Sequence, residues 1–173
     1  MNGSRPVTTA AAVLVRSLDF AAPSHVAAWL DLLDHYASDP MGGGGGLTHY
    51  ARGHLAEALA GLPAFHGALA WYDSEAVGLI NCFAGFSTFA ARPLLNIHDI
   101  VVCRDLRGRG IGQALLDWAE ARARQLGCCK LTLEVLSNNA KALLAYERAG
   151  FAPYVLDPAA GPALFLQKLL REI

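Results

Sequence analysis

The 173-residue sequence predicts an α/β domain of the mixed, α+β kind: a mostly antiparallel sheet of about seven strands with about four helices on its faces. Three patterns carry that expectation. Apolar runs separated by turn residues read as a meander of hairpin strands between residues 64 and 103. Residues 100–135 read as strand, glycine-rich turn, helix and strand, which is a βαβ unit. Two stretches, 23–36 and 111–126, repeat apolar residues every three or four positions, as a helix face does.

Length and composition narrow the class. A chain of 18.4 kDa with 54% hydrophobic and 17% charged residues buries a core and is too apolar for disorder. One domain over residues 1–173 is expected, with residues 1–10 as a frayed tail. The formal net charge is −1, from 14 basic and 15 acidic residues, and no basic run could track a phosphate backbone, so nucleic acid is not an expected partner. No apolar stretch reaches the roughly 20 residues that cross a bilayer, and the N-terminus does not read as a cleaved signal. No membrane partner and a cytoplasmic location are the default expectations. The four cysteines, Cys82, Cys103, Cys128 and Cys129, have neither CxxC nor Cys/His ligand spacing, which predicts no metal site and no disulfide framework, only small buried thiols.

Taken in order, Val13 to Arg16 reads as a first strand. Pro23 to Tyr36 reads as a helix whose inner face carries Val26, Trp29, Leu30, Leu33 and Tyr36, with Ser24 as its N-cap. Five consecutive glycines, Gly42 to Gly46, follow Asp39-Pro40-Met41; no helix or strand tolerates them, so they form a loop, either a lid over substrate or a slack connector. A second helix spans Leu47 to Leu62 and stops at Gly61 and Pro63. Ala64 to Tyr72 and Ala76 to Phe86 are strands joined by a short turn at Asp73-Ser74-Glu75, and Leu94 to Cys103 continues the meander. Ile111 to Leu126 is a helix closed by Gly127. Cys129, Leu131, Leu133 and Val135 alternate with polar residues as a half-buried strand does. Asn138 and Asn139 cap a helix that stops at Gly150, and two last strands are expected at Phe151 to Leu156 and Ala163 to Leu170.

Chemistry concentrates in the run Ile100-Val-Val-Cys-Arg-Asp-Leu-Arg-Gly-Arg-Gly-Ile-Gly112. A strand, a glycine-rich turn and a helix start follow one another, so amide N–H groups converge with the positive end of the helix dipole on an anion site. Gly108, Gly110 and Gly112 let the backbone approach a diphosphate, and Arg107 and Arg109 add charge. A P-loop would continue Gly-Lys-Ser/Thr, whereas here Gly112-Gln113-Ala114 follows. The dinucleotide fingerprint also fails, because its sixth position falls on Leu115 or Gln113. The tempting ribose acid, Glu134, lies inside a strand.

The pattern that does match is Arg/Gln-x-x-Gly-x-Gly/Ala, at Arg107, Gly110 and Gly112. A second run, Asn139 and then Tyr146, Gly150 and Phe151, follows one strand later. On these two motifs, which with the strand between them cover residues 94–156, the sequence resembles the GNAT superfamily of N-acetyltransferases. The resemblance implies a sheet that splays between its fourth and fifth strands, with acetyl-CoA as cofactor and its pantetheine arm in the gap. It implies that Ile100, Val101 and Val102 contact pantetheine through their backbone, that Arg107, Gly108, Arg109, Gly110, Ile111, Gly112 and Gln113 wrap the pyrophosphate, and that Asn139 meets the cofactor arm. Family members often form dimers, so a homodimer is an expectation.

Amine acylation needs the free base of an ammonium whose pKa is near 10. His98 and Asp99 stand where many relatives carry an acidic pair; here the first position is an imidazole, which suits proton acceptance at neutral pH, directly or through water. Asp99 either orients His98 or binds the substrate ammonium. Strict alternation turns His98 and Asp99 to opposite faces, but a bulge of the kind usual in the family would break that pattern and aim an N–H at the thioester oxygen. Tyr146 is the candidate acid for the leaving thiolate. Asn81 to Phe89, with three Phe residues, is a candidate acceptor pocket, and His49 and His54 read as surface or pocket residues. The expected activity is direct transfer of acetyl from acetyl-CoA to a primary amine, with small molecules such as a polyamine, amino acid or aminosugar ahead of protein lysines or N-termini. A CoA-binding regulatory module and a dinucleotide oxidoreductase are the competing classes.

Overall fold

A computed structural model of the chain describes residues 12–155, 157, 159, 161 and 163–170. The expected tail at residues 1–10 lies outside the described residues. Two compact units result, Met1–Leu133 and Glu134–Ile173.

The first unit holds one five-stranded sheet in the order β1-β2-β3-β4-β5, with β1 Leu14–Ser17, β2 Phe65–Tyr72, β3 Glu75–Ser87, β4 Arg92–Val102 and β5 Leu131–Leu133. Neighbours are antiparallel except β4 and β5, which run parallel. The β2–β3 turn needs only Asp73 and Ser74, both at positive φ (49° and 68°), the backbone that two-residue hairpins require.

Helix α1 spans Pro23–Ser38 and α2 spans His49–Ala60. On one sheet face α1 contributes Trp29, Leu32 and Leu33 to a core with Phe65, Leu69, Leu79 and Val101, and Leu55, Ala56 and Leu59 of α2 pack against it. Helix α3, Ile111–Gln125, covers the opposite face with Ile111, Leu115, Leu116, Ala119 and Ala123. Gly78 of β3 permits that approach: a Cβ there would stand 2.8 Å from the Val101 carbonyl oxygen and 3.3 Å from Leu115 Cδ1. The second unit contains α4, Ala140–Arg148, capped by Asn139, whose Oδ1 accepts from the Ala142 N–H at 3.3 Å. Among the described residues, no helix is long and apolar enough to cross a membrane.

Several expectations are corrected. Ser24 is not the N-cap of α1: Ala22 is, without a side-chain bond, and Pro23 opens the helix because its missing N–H costs nothing in the first turn. Thr48 caps α2 through its Oγ1, which accepts from Ala51 N–H at 3.1 Å. Among the described residues the sheet has five strands, where the sequence predicts about seven. β5 is only three residues long, and the described residues of 151–155 and 163–170 form no strand. Leu164 and Phe165 stay largely exposed, since alternation does not make a strand unless a neighbouring edge takes up its backbone groups. Of the four thiols, all free, only Cys82 is fully buried and Cys129 is exposed.

Candidate active site

The register between β3 and β4 slips once. Asn81 pairs with Asp99, but Cys82 pairs with Ile97, so β4 carries one extra residue, His98. An extra residue resets the two-residue alternation of side chains. Asp99 turns to the α1 face, where its Oδ2 accepts from Asn81 Nδ2 at 3.0 Å. His98 turns to the same face, its ring edge-on to Phe83 at 5.5 Å and 88°. The bulge thus brings side by side two groups that strict alternation would separate. His98 is exposed and Asp99 half-buried.

The same point is where the sheet parts. β5 pairs β4 only through Leu95–Leu131, Asn96–Thr132 and Ile97–Leu133, and β4 runs on through Ile100, Val101 and Val102 with β3 as its ladder partner. A short 3₁₀ turn, Arg104–Leu106, then leads into the glycine loop. Gly108 (φ 80°) and Gly110 (φ 82°) take left-handed backbone, and a Cβ at either would meet nothing within 4 Å. Gly110 is the N-cap of α3 and no side chain caps the helix; its first internal bond runs from Ala114 N–H to the Gly110 carbonyl at 3.0 Å. The helix start is therefore unplugged, as an anion cradle must be, and it fits a diphosphate.

The arginines are ordered. Arg107 donates from Nε to the Val102 carbonyl at 3.1 Å, and its guanidinium lies 3.5 Å from Asp39 Oδ2, which Arg104 also approaches at 3.6 Å. Asp39 ends α1, and its Oδ1 accepts from Met41 N–H at 3.0 Å. That backbone bond, then the Arg107 and Arg104 charges, holds the Asp39 carboxyl below the usual range against the opposing pull of desolvation. Arg109 lies 6.0 Å from the centre of the Tyr72 ring, and the Gln113 side chain donates to Asp117 at 2.8 Å within α3. The five-glycine run is stitched rather than slack: Gly42 and Gly44 N–H donate to the Asp39 carbonyl, Gly46 N–H to that of Ala37, and Leu47 N–H to Asp34 Oδ1 at 2.7 Å.

Tyr36, which the sequence marks only as an apolar helix position, belongs to this neighbourhood. Burial first, then the charges of Asp99 and Asp39, push its phenol above the ordinary value. Asn81 is 2% exposed and carries the contact to Asp99, and its Oδ1 accepts from Trp29 Nε1 at 2.8 Å. Neither Tyr36, Asn81, Trp29 nor Asp39 stands in a motif; a polar Asn in an otherwise apolar strand was the one available signal. The Asn81–Phe89 segment is not a continuous aromatic lining, because Phe86 and Phe89 are 62% and 99% exposed and only Phe83 reaches His98. His49 and His54 are exposed, and His54 Nδ1 lies 2.8 Å from the Tyr50 carbonyl oxygen.

His98, Asp99, Ile100 to Val102 and Arg107 to Gln113 thus share the first unit. Asn139 and Tyr146 belong to the second, where the half-buried Tyr146 ring packs against Phe151 at 6.0 Å and Gly150 takes φ 89° at the helix end.

Comparison with known proteins agrees with this geometry. Over 87 residues the chain is 44% identical to streptothricin acetyltransferase of Streptomyces lavendulae, covering 49% of this chain and 46% of that one. Over 79 residues it is 39% identical to aminoalkylphosphonate N-acetyltransferase of Salmonella typhimurium (strain LT2), covering 46% and 49%. The chain spans about half the length of these curated relatives. Its backbone is similar to that of aminoglycoside N-acetyltransferase AAC(6')-Iy bound to a bisubstrate analogue, with a TM-score of 0.73 over 92% of this chain and 99% of that one; at 16% identity this likeness speaks for the fold alone. The sequence profile of the acetyltransferase (GNAT) family matches residues 29–151. With the parted sheet, the bulge at its fork and the open start of α3, that match establishes that the chain belongs to the acetyltransferase (GNAT) family.

Proposed function

We propose that this chain moves the acetyl group of acetyl-CoA directly to a primary amine of a small molecule, such as a polyamine, an amino acid or an aminosugar. The observation that carries the reading is the succession of three features along β4 and the loop after it: the end of the β4–β5 ladder at Ile97, the bulge at His98 and, beyond Val102, the uncapped start of α3. Both relatives named above are acetyltransferases whose names specify small molecules, which favours that substrate class.

Bound acetyl-CoA supplies a thioester activated for attack. The amides that open α3, with Arg107 and Arg109, hold the diphosphate, and the backbone of Ile100, Val101 and Val102 lines the pantetheine arm. Asp99 receives the acceptor as an ammonium and His98 takes one proton, leaving the free amine to form the C–N bond as the C–S bond breaks. An N–H at the bulge stabilises the oxygen that becomes negative. Tyr146 donates toward the departing sulfur, and Asn139 meets the cofactor arm. Overall one ammonium and one thioester give one amide, one thiol and one proton. Four free cysteines suit a reducing, cytoplasmic setting.

The test is an acceptor screen with acetyl-CoA that follows thiol release. Amine-dependent release that drops on Tyr146→Phe is the expected result. CoA binding without release for any amine would support a regulatory module instead, and unchanged turnover in Tyr146→Phe would remove that residue from the mechanism.

A further inference from the structure

The face of the sheet that carries His98 and Asp99 contains a buried polar chain. Trp29 on α1 is fully buried and Asn81 on β3 is 2% exposed. Trp29 Nε1 donates to Asn81 Oδ1 at 2.8 Å, and Asn81 Nδ2 donates to Asp99 Oδ2 at 3.0 Å. An indole nitrogen can only donate, which settles which end of the Asn81 amide faces it: oxygen toward Trp29, nitrogen toward Asp99. Asn81 and Asp99 are also direct cross-strand partners, on the side of the bulge that leads to Val102. The carboxylate is therefore gripped at one oxygen by a donor that cannot flip without leaving two buried polar groups unpaired. Among the described residues, Asp99 Oδ1 has no hydrogen-bond partner, and Asp99 is only half-buried.

We propose that Trp29 and Asn81 are positioning residues, a two-member relay that holds Asp99 with Oδ2 engaged and Oδ1 presented to the ammonium of the acceptor, and so sets the enzyme's preference for cationic amines. The inference rests on the acetyl-transfer reading above and deepens it. A relay that fixes an anchor acts on acceptor affinity and leaves acetyl-CoA alone, because neither Trp29 nor Asn81 lies on the glycine loop or α3. A residue that merely supports the core would instead lower thermal stability with both substrates' KM values unmoved.

The experiment uses the full chain and the best acceptor from the screen. Trp29→Phe keeps an aromatic ring, though a smaller one than the indole, and removes the N–H, so Asn81 is free to turn. Asn81→Asp keeps size and the acceptor for Trp29 but sets a carboxylate oxygen against Asp99. Each is expected to raise the amine KM about five- to tenfold, the worth of one hydrogen bond, with kcat and the acetyl-CoA KM within about twofold; Asp99→Asn should move the amine KM at least as far. Should Asp99→Asn raise the amine KM while Trp29→Phe and Asn81→Asp do not, the relay is overturned and acetyl transfer stands. Should the wild type acetylate no amine, the transfer reading fails, and the relay is judged by NMR alone. Asp99→Ala should then shift the Trp29 indole N–H resonance and speed its exchange with solvent, and an unmoved resonance rejects the relay.

Discussion

Two single-methyl changes in the glycine loop separate backbone strain from helix propensity. Gly110 sits at φ 82° and ψ −3°, and a Cβ there meets no protein atom within 4 Å, so Gly110→Ala carries a backbone cost and no clash. Left-handed backbone costs a non-glycine residue about 1–2 kcal/mol, and the stiffer unfolded chain returns about 0.4–1 kcal/mol. The net loss is about 1 kcal/mol, or a fall in Tm of about 2–4 °C for a chain of this size. Relief of the strain rotates the amides at Gly110 and Ile111 out of the cradle. Losing one hydrogen bond to a charged group, about 1.5–3 kcal/mol, weakens CoA binding about 10- to 150-fold. Gly112→Ala is the matched control: its φ is not left-handed and its Cβ would make ordinary contact with Val102 Cγ2 at 3.9 Å. It should gain up to about 1 kcal/mol from helix propensity and keep CoA affinity within about threefold. Isothermal titration with CoA and thermal melts of both variants decide the matter. Full CoA affinity in Gly110→Ala would refute the cradle.

Asp39→Asn frees Arg104 and Arg107 from a carboxylate that competes with the diphosphate, so CoA should bind about two- to fivefold more tightly at low salt; weaker binding would contradict this. The stability that Asp39 contributes is present above the unfolded carboxyl value near 3.9 and is lost as pH falls through its depressed folded value, so Asp39→Asn should flatten the acid limb of a Tm–pH profile. His66 titrates with the opposite charge. Burial and then the Arg122 guanidinium, 3.3 Å from its Nδ1, lower its pKa, so folding favours the neutral ring and stability falls as pH drops from about 6.5 toward the folded value; His66→Gln should remove that slope. Cys82, pushed up to about 12 by burial and the Asp99 charge, should resist alkylation at pH 8 while the exposed Cys129 reacts, which peptide mass spectrometry reads directly.

The β4–loop–α3 unit was legible because each of its signals is local. The apolar run in residues 94–102, glycines where φ is positive, and apolar spacing from Ile111 to Ala123 each report on a few consecutive residues. The hairpin at Asp73-Ser74 was legible for the same reason. What escaped is carried by pairs far apart in the chain. Trp29 meets Asn81 across 52 positions and Asp39 meets Arg107 across 68, and such contacts exist only after α1 has docked on the sheet. The bulge came from family resemblance and not from the residues themselves: alternation puts His98 and Asp99 on opposite faces, and only cross-strand register turns them to one. The last two expected strands show the complementary error, in which a pattern suited to pairing was read as pairing itself.

The central claim is that the start of α3 grips the diphosphate of CoA, and comparing CoA with pantetheine, which lacks the diphosphate, tests it most directly. In thermal melts of the wild-type chain, CoA should raise Tm strongly at concentrations where pantetheine and NAD leave it unmoved. Equal stabilisation by pantetheine, or stabilisation by NAD alone, would contradict the account.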